Sequence, residues 1–231
     1  MSISDNIKRI RDTIADTAVS SGREVDSVKL IAVTKYVDTA RIQEAVDAGI
    51  TSVGENRVQE CMDKYEFFCG NNLSVNLIGQ LQTNKVKYVT GKVSLIQSVD
   101  RLSLAQQLDH IAVSRGVIQD VLIEINIAQE PQKGGLSPER NELFDLLAEI
   151  SAMKGVRVRG LMCVPPAVGE REVRGYFAKL RELSFDVRDA KIPNIHMDEL
   201  SMGMSGDYTS AIRDGATMVR IGSAIFGPRV Y

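Results

Sequence analysis

The chain carries one lysine in a place where an amine can act as a nucleophile. Lys35 ends the run 28–35 (VKLIAVTK), whose apolar, β-branched composition predicts a buried strand. A lysine held at the mouth of a barrel loses hydration, which favours the neutral amine that can attack an aldehyde. Alternatively, Lys29 and Lys35, which share one face of the strand, both extend their ammonium groups into water. The strand pattern alone leaves both interpretations open.

A second unusual side chain lies near the other end of the chain. Arg220 interrupts the apolar segment 217–221 (TMVRI). A buried guanidinium needs acceptors, because an unpaired charge in an apolar interior is costly. The acceptor is either an internal carboxylate, such as Glu124 or Asp198, or the ring nitrogen of a bound cofactor. Both remain open at this point.

Small and hydroxyl-bearing residues surround Arg220 in the sequence. Ser205 and Gly206 follow the seventh predicted strand, and Gly222 and Ser223 follow the eighth. In α/β barrels, the loops after strands seven and eight and a short helix form the usual phosphate site. The exposed N–H groups attract the anion, and a glycine lets the backbone approach it closely. We therefore predict a phosphate site here, although the glycines would also serve simple turns.

The elements that position these residues alternate along the chain. An amphipathic helix is predicted first, with Ile3, Ile7, Ile10, Ile14 and Ala18 on its apolar face and an end near Gly22. Strands are predicted at 28–34, 51–54, 75–79, 94–98, 121–126, 156–162, 198–202 and 217–221. Helices are predicted between them at 38–48, 56–68, 101–114, 139–150 and 170–187.

Eight β units with helical crossovers predict a (β/α)₈ TIM barrel with an extra N-terminal helix. A doubly wound open sheet is the alternative, because the second and seventh strands are short. We expect one domain over residues 1–231, since no linker or low-complexity segment divides the chain.

Composition narrows the function classes. The formal net charge is −2, with 44% hydrophobic and 25% charged residues, so we expect neither nucleic acid nor a membrane as partner. Three cysteines form no CxxC pair, and the two histidines have no ligand partner at helical spacing, so no metal site is expected. Without a signal segment or a membrane-length apolar run, we expect a cytoplasmic protein.

Several longer motifs resemble those of the YggS/PROSC family of pyridoxal phosphate homeostasis proteins, and the resemblance covers nearly the whole chain. In order, the motifs are LIAVTK (30–35), VGENRVQE (53–60), IGQLQTNK (78–85), SVDR (98–101), RGLM (159–162), LSMGMSGD (200–207) and VRIGSAIFG (219–227). Motifs of this length in this order are highly specific. One departure is Val75-Asn76, which stands where the family usually has a Trp-His pair.

The resemblance implies a barrel like the N-terminal domain of alanine racemase, with pyridoxal 5′-phosphate held as a Schiff base on Lys35. It implies further that Ser205 and the backbone of Gly222 and Ser223 hold the phosphate and that Arg220 faces the pyridine nitrogen. Asn56 and Met204 match family positions at the edge of the pocket. The departure at Val75-Asn76 removes any family role for an imidazole near the third strand.

The resemblance implies buffering or delivery of pyridoxal phosphate, with little or no catalysis. An arginine opposite the ring nitrogen weakens the ring as an electron sink. A racemase also needs a second acid/base, supplied in alanine racemases by a tyrosine of a second domain that we do not expect here. None of Tyr36, Tyr208 and Tyr231 has a sequence argument for facing Lys35.

The alternatives are a true amino-acid racemase and a phosphosugar-processing barrel with Lys35 as its Schiff-base amine. Expected partners are pyridoxal phosphate itself and, transiently, apoenzymes that depend on it. We expect a monomer, because the racemase's second domain supports its dimer.

Overall fold

The computed structural model describes residues 2–228, and within this range eight parallel strands form a closed barrel. The strands are β1 (Lys29–Val33), β2 (Ser52–Glu55), β3 (Ser74–Leu77), β4 (Leu95–Val99), β5 (Gln119–Ile125), β6 (Val156–Cys163), β7 (Ile195–Ser201) and β8 (Met218–Ile221). Each strand pairs with the next in sequence, and β8 pairs with β1 to close the ring. The predicted TIM barrel is thereby confirmed, and the open-sheet alternative is wrong.

Helices cover the outside of the barrel. They are α1 (Ile3–Ser20), α2 (Thr39–Asp47), α3 (Val58–Asp63), α4 (Tyr65–Gly70), α5 (Val86–Val89), α6 (Leu102–Ser114), α7 (Arg140–Ser151), α8 (Glu170–Ala190), α9 (Tyr208–Arg213) and α10 (Ser223–Phe226). Of these described helices, none is long and apolar enough to cross a membrane.

The extra helix α1 forms as its sequence predicts. Ser2 and Asp5 make a reciprocal capping box at its start, which satisfies backbone N–H groups that have no partner within the helix. All five residues predicted for its apolar face are buried: Ile3, Ile7, Ile10, Ile14 and Ala18. The helix ends at Ser20, and Gly22 follows with φ 71°.

One helix prediction is wrong in an informative way. The segment predicted as a single helix over 56–68 is two short helices, α3 and α4, that meet at Lys64. Lys64 has φ −100° and ψ 0°, which interrupts the helical hydrogen bonding. Its side chain donates a hydrogen bond to the backbone carbonyl of Thr34, the residue before Lys35. Helical periodicity depends on neighbouring residues and therefore does not predict this long-range contact.

The barrel interior has an apolar layer and a polar layer. Side chains from alternate strand positions point inward, and five of them form an apolar cluster: Ile31, Leu95, Leu122, Met162 and Met218. Alongside this cluster, Asn76, Gln97, Ser201 and Arg220 are buried and polar. A separate and larger hydrophobic core lies between the strands and the helices, where most of the buried aliphatic side chains pack.

Candidate functional site

A cavity of about 300 Å³ lies at the carboxyl ends of the strands and brings together the seven residues predicted to bind a cofactor. Its walls come from the ends of β1, β2, β3, β6, β7 and β8. The predicted residues that line it are Lys35, Asn56, Met204, Ser205, Arg220, Gly222 and Ser223. This is the end of a barrel where the loops that follow the strands form functional sites.

Lys35 lies two residues beyond the end of β1 and forms part of the cavity wall. It is partly buried, whereas Lys29, at the other end of the same strand, has a side chain that is 61% exposed and forms an ion pair with Glu199. The two lysines that looked alike in the sequence thus occupy different environments. Only Lys35 adjoins the residues predicted to hold a phosphate.

Arg220 is buried on β8, with 4% of its surface exposed. Its guanidinium donates to the Ser201 hydroxyl at 2.6 Å and to the carbonyl oxygen of Cys163 at 2.8 Å. Burial lowers the pKa of Arg220 below its usual value. Of the two carboxylates considered as partners, Asp198 instead accepts from Arg159 at 3.0 Å.

Arg220 begins a chain of hydrogen bonds across the barrel interior. The Ser201 hydroxyl donates to Gln97 Oε1 at 2.6 Å, and Gln97 Nε2 donates to Asn76 Oδ1 at 3.1 Å. Asn76 Nδ2 in turn donates to the Ser52 hydroxyl at 3.0 Å. Each side chain restricts the orientation of the next, and the guanidinium of Arg220, which lines the cavity, is held at one end of this chain. Asn76, one of the two residues that depart from the family's pattern, is part of this hydrogen-bond chain.

The predicted phosphate residues form one side of the cavity. Ser205 Oγ accepts a hydrogen bond from the backbone N–H of Ala224 at 3.3 Å, which joins the loop after β7 to the start of α10. A Cβ built on Gly222 would lie 3.3 Å from Val33 Cβ, so the loop packs tightly against β1. A Cβ on Gly206 would meet no atom within 4 Å, so the backbone there borders open space in the cavity.

Asn56 and Glu124 present acceptor atoms that have no hydrogen-bond partner within residues 2–228. Asn56 Oδ1 and Glu124 Oε2 are both buried. Asn56 lies between the cavity of Lys35 and an adjoining cavity of about 290 Å³ that Glu124 lines. Burial and, to a smaller extent, the negative charge of Asp100 raise the pKa of Glu124 to about 7, against the opposing effect of the Arg220 charge. Both atoms can therefore form a hydrogen bond with a group that occupies these cavities.

A larger cavity, of about 480 Å³, lies at the amino ends of the strands. Its charged side chains are engaged with one another: Lys29 with Glu199, and Arg159 with Asp120 and Asp198. None of the predicted site residues lines it. We therefore place the candidate site at the carboxyl end, where the chemistry-bearing residues converge.

Of the tyrosines considered as a second acid/base, Tyr36 and Tyr208 are not among the described residues that line the Lys35 cavity. Tyr36 is 53% exposed and stacks with Arg57, and Tyr208 begins α9. Tyr231 lies outside the described residues.

Sequence reasoning overlooked two groups near the site. The first comprises Gln97 and Ser201, which link Arg220 to Asn76. The second comprises Glu55, Glu60 and Lys64, whose charges meet beside the backbone of Lys35. Glu55 offered a signal, because a carboxylate at the end of the apolar strand 52–55 (SVGE) needs a buried partner.

Comparison with known proteins agrees with this geometry. Residues 2–230 match the family described as alanine racemase, N-terminal domain. The chain is 42% identical to the pyridoxal phosphate homeostasis protein of Aquifex aeolicus, over all of both chains.

Two solved structures are also close. An unknown protein from Bifidobacterium adolescentis is 37% identical, with a TM-score of 0.91 over 97% of this chain and 94% of that one. PipY of Synechococcus elongatus, solved with pyridoxal phosphate bound, is 32% identical, with a TM-score of 0.85 over 98% of this chain and 100% of that one.

Proposed function

The chain belongs to the alanine racemase N-terminal domain family and, within it, to the pyridoxal phosphate homeostasis proteins, and from this we propose that it binds pyridoxal 5′-phosphate and buffers or delivers it with little or no catalysis. The observation that carries the proposal is the cavity in which Lys35, Arg220 and the loops after β7 and β8 meet. PipY, a relative whose structure has the cofactor bound, supports the same ligand.

Lys35 supplies the covalent link in this proposal. Its amine nitrogen bonds to the aldehyde carbon, and the aldehyde oxygen leaves as water, so that a Schiff base joins protein and cofactor. The reaction is reversible by the same atoms, since water or another amine can release the aldehyde. Reversible attachment suits a protein that stores a cofactor and gives it up.

The other cavity residues hold the remaining groups of the cofactor. Ser205, Gly222 and Ser223 take the phosphate, beside the open recess at Gly206. Arg220 donates to the pyridine nitrogen, with its guanidinium fixed by Ser201 and Cys163. Asn56 and Met204 line the same cavity, in keeping with their predicted place at the edge of the pocket.

The position of Arg220 explains why we propose little or no catalysis. Bound pyridoxal phosphate supplies an electron sink, which is strongest when its ring nitrogen carries a proton. Arginine is a donor only, so it leaves no proton on that nitrogen. Without a tyrosine in the described cavity wall, the second acid/base of a racemase also lacks a candidate.

Mapping the modified residue tests the assignment directly. After borohydride reduction and digestion, mass spectrometry should find the pyridoxyl group on Lys35. Lys35→Ala should abolish both this label and the yellow colour of the purified protein while the fold persists. Lys29→Ala is the matched control on the same strand and should keep both. A label that persists in Lys35→Ala would overturn the assignment.

An assay of D/L amino-acid interconversion tests the claim of little catalysis. Turnover of ~1 to 10³ per second, typical of enzymes, would establish a racemase instead.

We propose that the protein works as a single-domain cytoplasmic monomer that passes the cofactor transiently to apoenzymes. Sedimentation should then give one species near 25.4 kDa. Unfolding should show one cooperative transition. Mixing the loaded protein with an apoenzyme that depends on pyridoxal phosphate should restore that enzyme's activity without a stable complex.

A further inference from the structure

A buried ammonium group lies directly behind the residue proposed to hold the cofactor. Lys64, at the junction of α3 and α4, has a side chain that is 11% exposed. Its Nζ atom donates to the Thr34 carbonyl at 2.8 Å, to Glu55 Oε1 at 3.0 Å and to Glu60 Oε1 at 2.7 Å. An ammonium has three N–H donors, so these acceptors satisfy it completely.

The two carboxylates hold the residues on either side of Lys35. Glu55 Oε1 accepts from the Thr34 hydroxyl at 2.7 Å. Glu60 Oε1 accepts from the backbone N–H of Tyr36 at 2.5 Å. One ammonium therefore ties together the contacts to the residue before Lys35 and to the residue after it.

The backbone needs this support. Tyr36 has φ 62°, in the left-handed region that costs a non-glycine residue about 1–2 kcal/mol. The chain makes this turn immediately after Lys35, where it leaves the barrel wall. Lys35 lines the cavity next to this turn, and Glu60 holds the Tyr36 side of it.

We propose that Lys64, acting with Glu55 and Glu60, is a positioning residue that holds Lys35 in the orientation required for bonding to the aldehyde. None of the three lines the cavity of Lys35, and their contacts are to the residues on either side of it: the carbonyl and hydroxyl of Thr34 and the N–H of Tyr36. The proposal rests on the proposed function, because it assumes that Lys35 bonds to pyridoxal phosphate. A merely structural ion-pair cluster would stabilise the fold equally but would not affect the covalent link in particular.

Two ligands separate these roles. Pyridoxal 5′-phosphate can bond to Lys35, whereas pyridoxine 5′-phosphate, an alcohol, binds only through its phosphate and ring. In Lys64→Met, we expect the dissociation constant of the aldehyde to rise at least tenfold and that of the alcohol to change less than twofold. The rate of borohydride trapping at Lys35 should fall in parallel. Circular dichroism of the cofactor-free protein checks the fold.

Glu60 provides a second test if Lys64→Met does not fold, because Glu60 is less buried than Glu55. Glu60→Ala should weaken aldehyde binding selectively, and Glu60→Gln, which keeps an acceptor for the Tyr36 N–H, should restore most of it. Gln59→Ala, on the exposed side of α3, is the neutral control. Equal weakening of both ligands, or of neither, would overturn the positioning role.

The outcomes also distinguish this proposal from the proposed function. Absence of a pyridoxyl label on Lys35 in the wild-type protein would refute the proposed function itself. A normal label in the wild type, with unaltered aldehyde affinity in the Lys64 and Glu60 variants, would refute only the positioning cluster.

Discussion

At the scale of single residues, burial changes the acid–base behaviour of Glu124 beside the proposed site. Its carboxyl is partly buried on β5, and Oε2 has no hydrogen-bond partner within residues 2–228. Burial is the main cause that raises its pKa to about 7; Asp100 adds to the shift and Arg220 opposes it. Glu124 therefore changes charge near neutral pH, close to the guanidinium that is proposed to contact the cofactor ring.

This shift predicts a pH dependence of stability. Between pH 4.5 and about 7, folded Glu124 keeps a proton that the unfolded chain has released, so the free energy of unfolding falls as the pH rises through this window. Glu124→Gln, which is neutral and of similar size, should remove this fall. The variant should gain up to about 3 kcal/mol over the wild type by the upper end of the window. Denaturant unfolding at several pH values measures the difference. If the unfolding free energies of the wild type and of Glu124→Gln changed in parallel with pH, the prediction would be contradicted.

At the scale of elements, the loops after β7 and β8 build the proposed phosphate site together. Ser205, in the first loop, accepts from the N–H of Ala224 in α10, which follows the second. Gly222 packs against Val33 of β1, so the second loop is also fixed to the strand that precedes Lys35. The loops of the proposed phosphate site and the strand that leads to Lys35 are thus joined by these contacts.

The recess at Gly206 gives a prediction for this element. Gly206→Val should fill the open space with a side chain and weaken both pyridoxal phosphate and inorganic phosphate at least tenfold. The backbone there has no positive φ, so the fold should tolerate the change. Gly70→Val, at the exposed end of α4, adds the same side chain away from the cavity and should leave both affinities unchanged. Titration calorimetry measures both affinities. Unchanged phosphate binding in Gly206→Val would show that the anion binds at another place.

At the scale of the whole molecule, α1 joins the first and last parts of the ring of helices. It packs against α2, α9 and α10. Asn6 donates to the carbonyl of Ile225 at 3.0 Å, and Arg11 donates to that of Gly49 at 2.6 Å. The helix therefore covers the seam between β8 and β1, the two strands that carry Arg220 and lead to Lys35.

Removing a core side chain of α1 should weaken the closed barrel. Ile7 is 1% exposed, and Ile7→Ala should lower the free energy of unfolding by about 2–5 kcal/mol through lost burial and a residual cavity. Val19→Ala, on the exposed face of the same helix, should change it by less than about 0.5 kcal/mol. Denaturant unfolding of both variants checks this, and equal effects would mean that α1 is not part of the cooperative core.

The sequence by itself determined the elements and the candidate residues. Strand and helix periods are local, because they follow from which neighbouring side chains face the core. Arg220 stood out because a charge within an apolar strand requires a partner, and Lys35 stood out because a desolvated amine at the end of a strand can act as a nucleophile. The family motifs added the cofactor and the phosphate residues, whose roles remain predictions.

Only the tertiary structure decided which distant groups meet. Arg220 pairs with Ser201 and Cys163 rather than with a carboxylate. Lys64 lies where α3 ends, and its ammonium donates to the carbonyl of Thr34, thirty residues away in the sequence. Such choices depend on the closure of the barrel, which brings strand ends together and fixes the burial of each charge. No local spacing carries that information, because partners in a closed sheet are selected by packing across the whole fold.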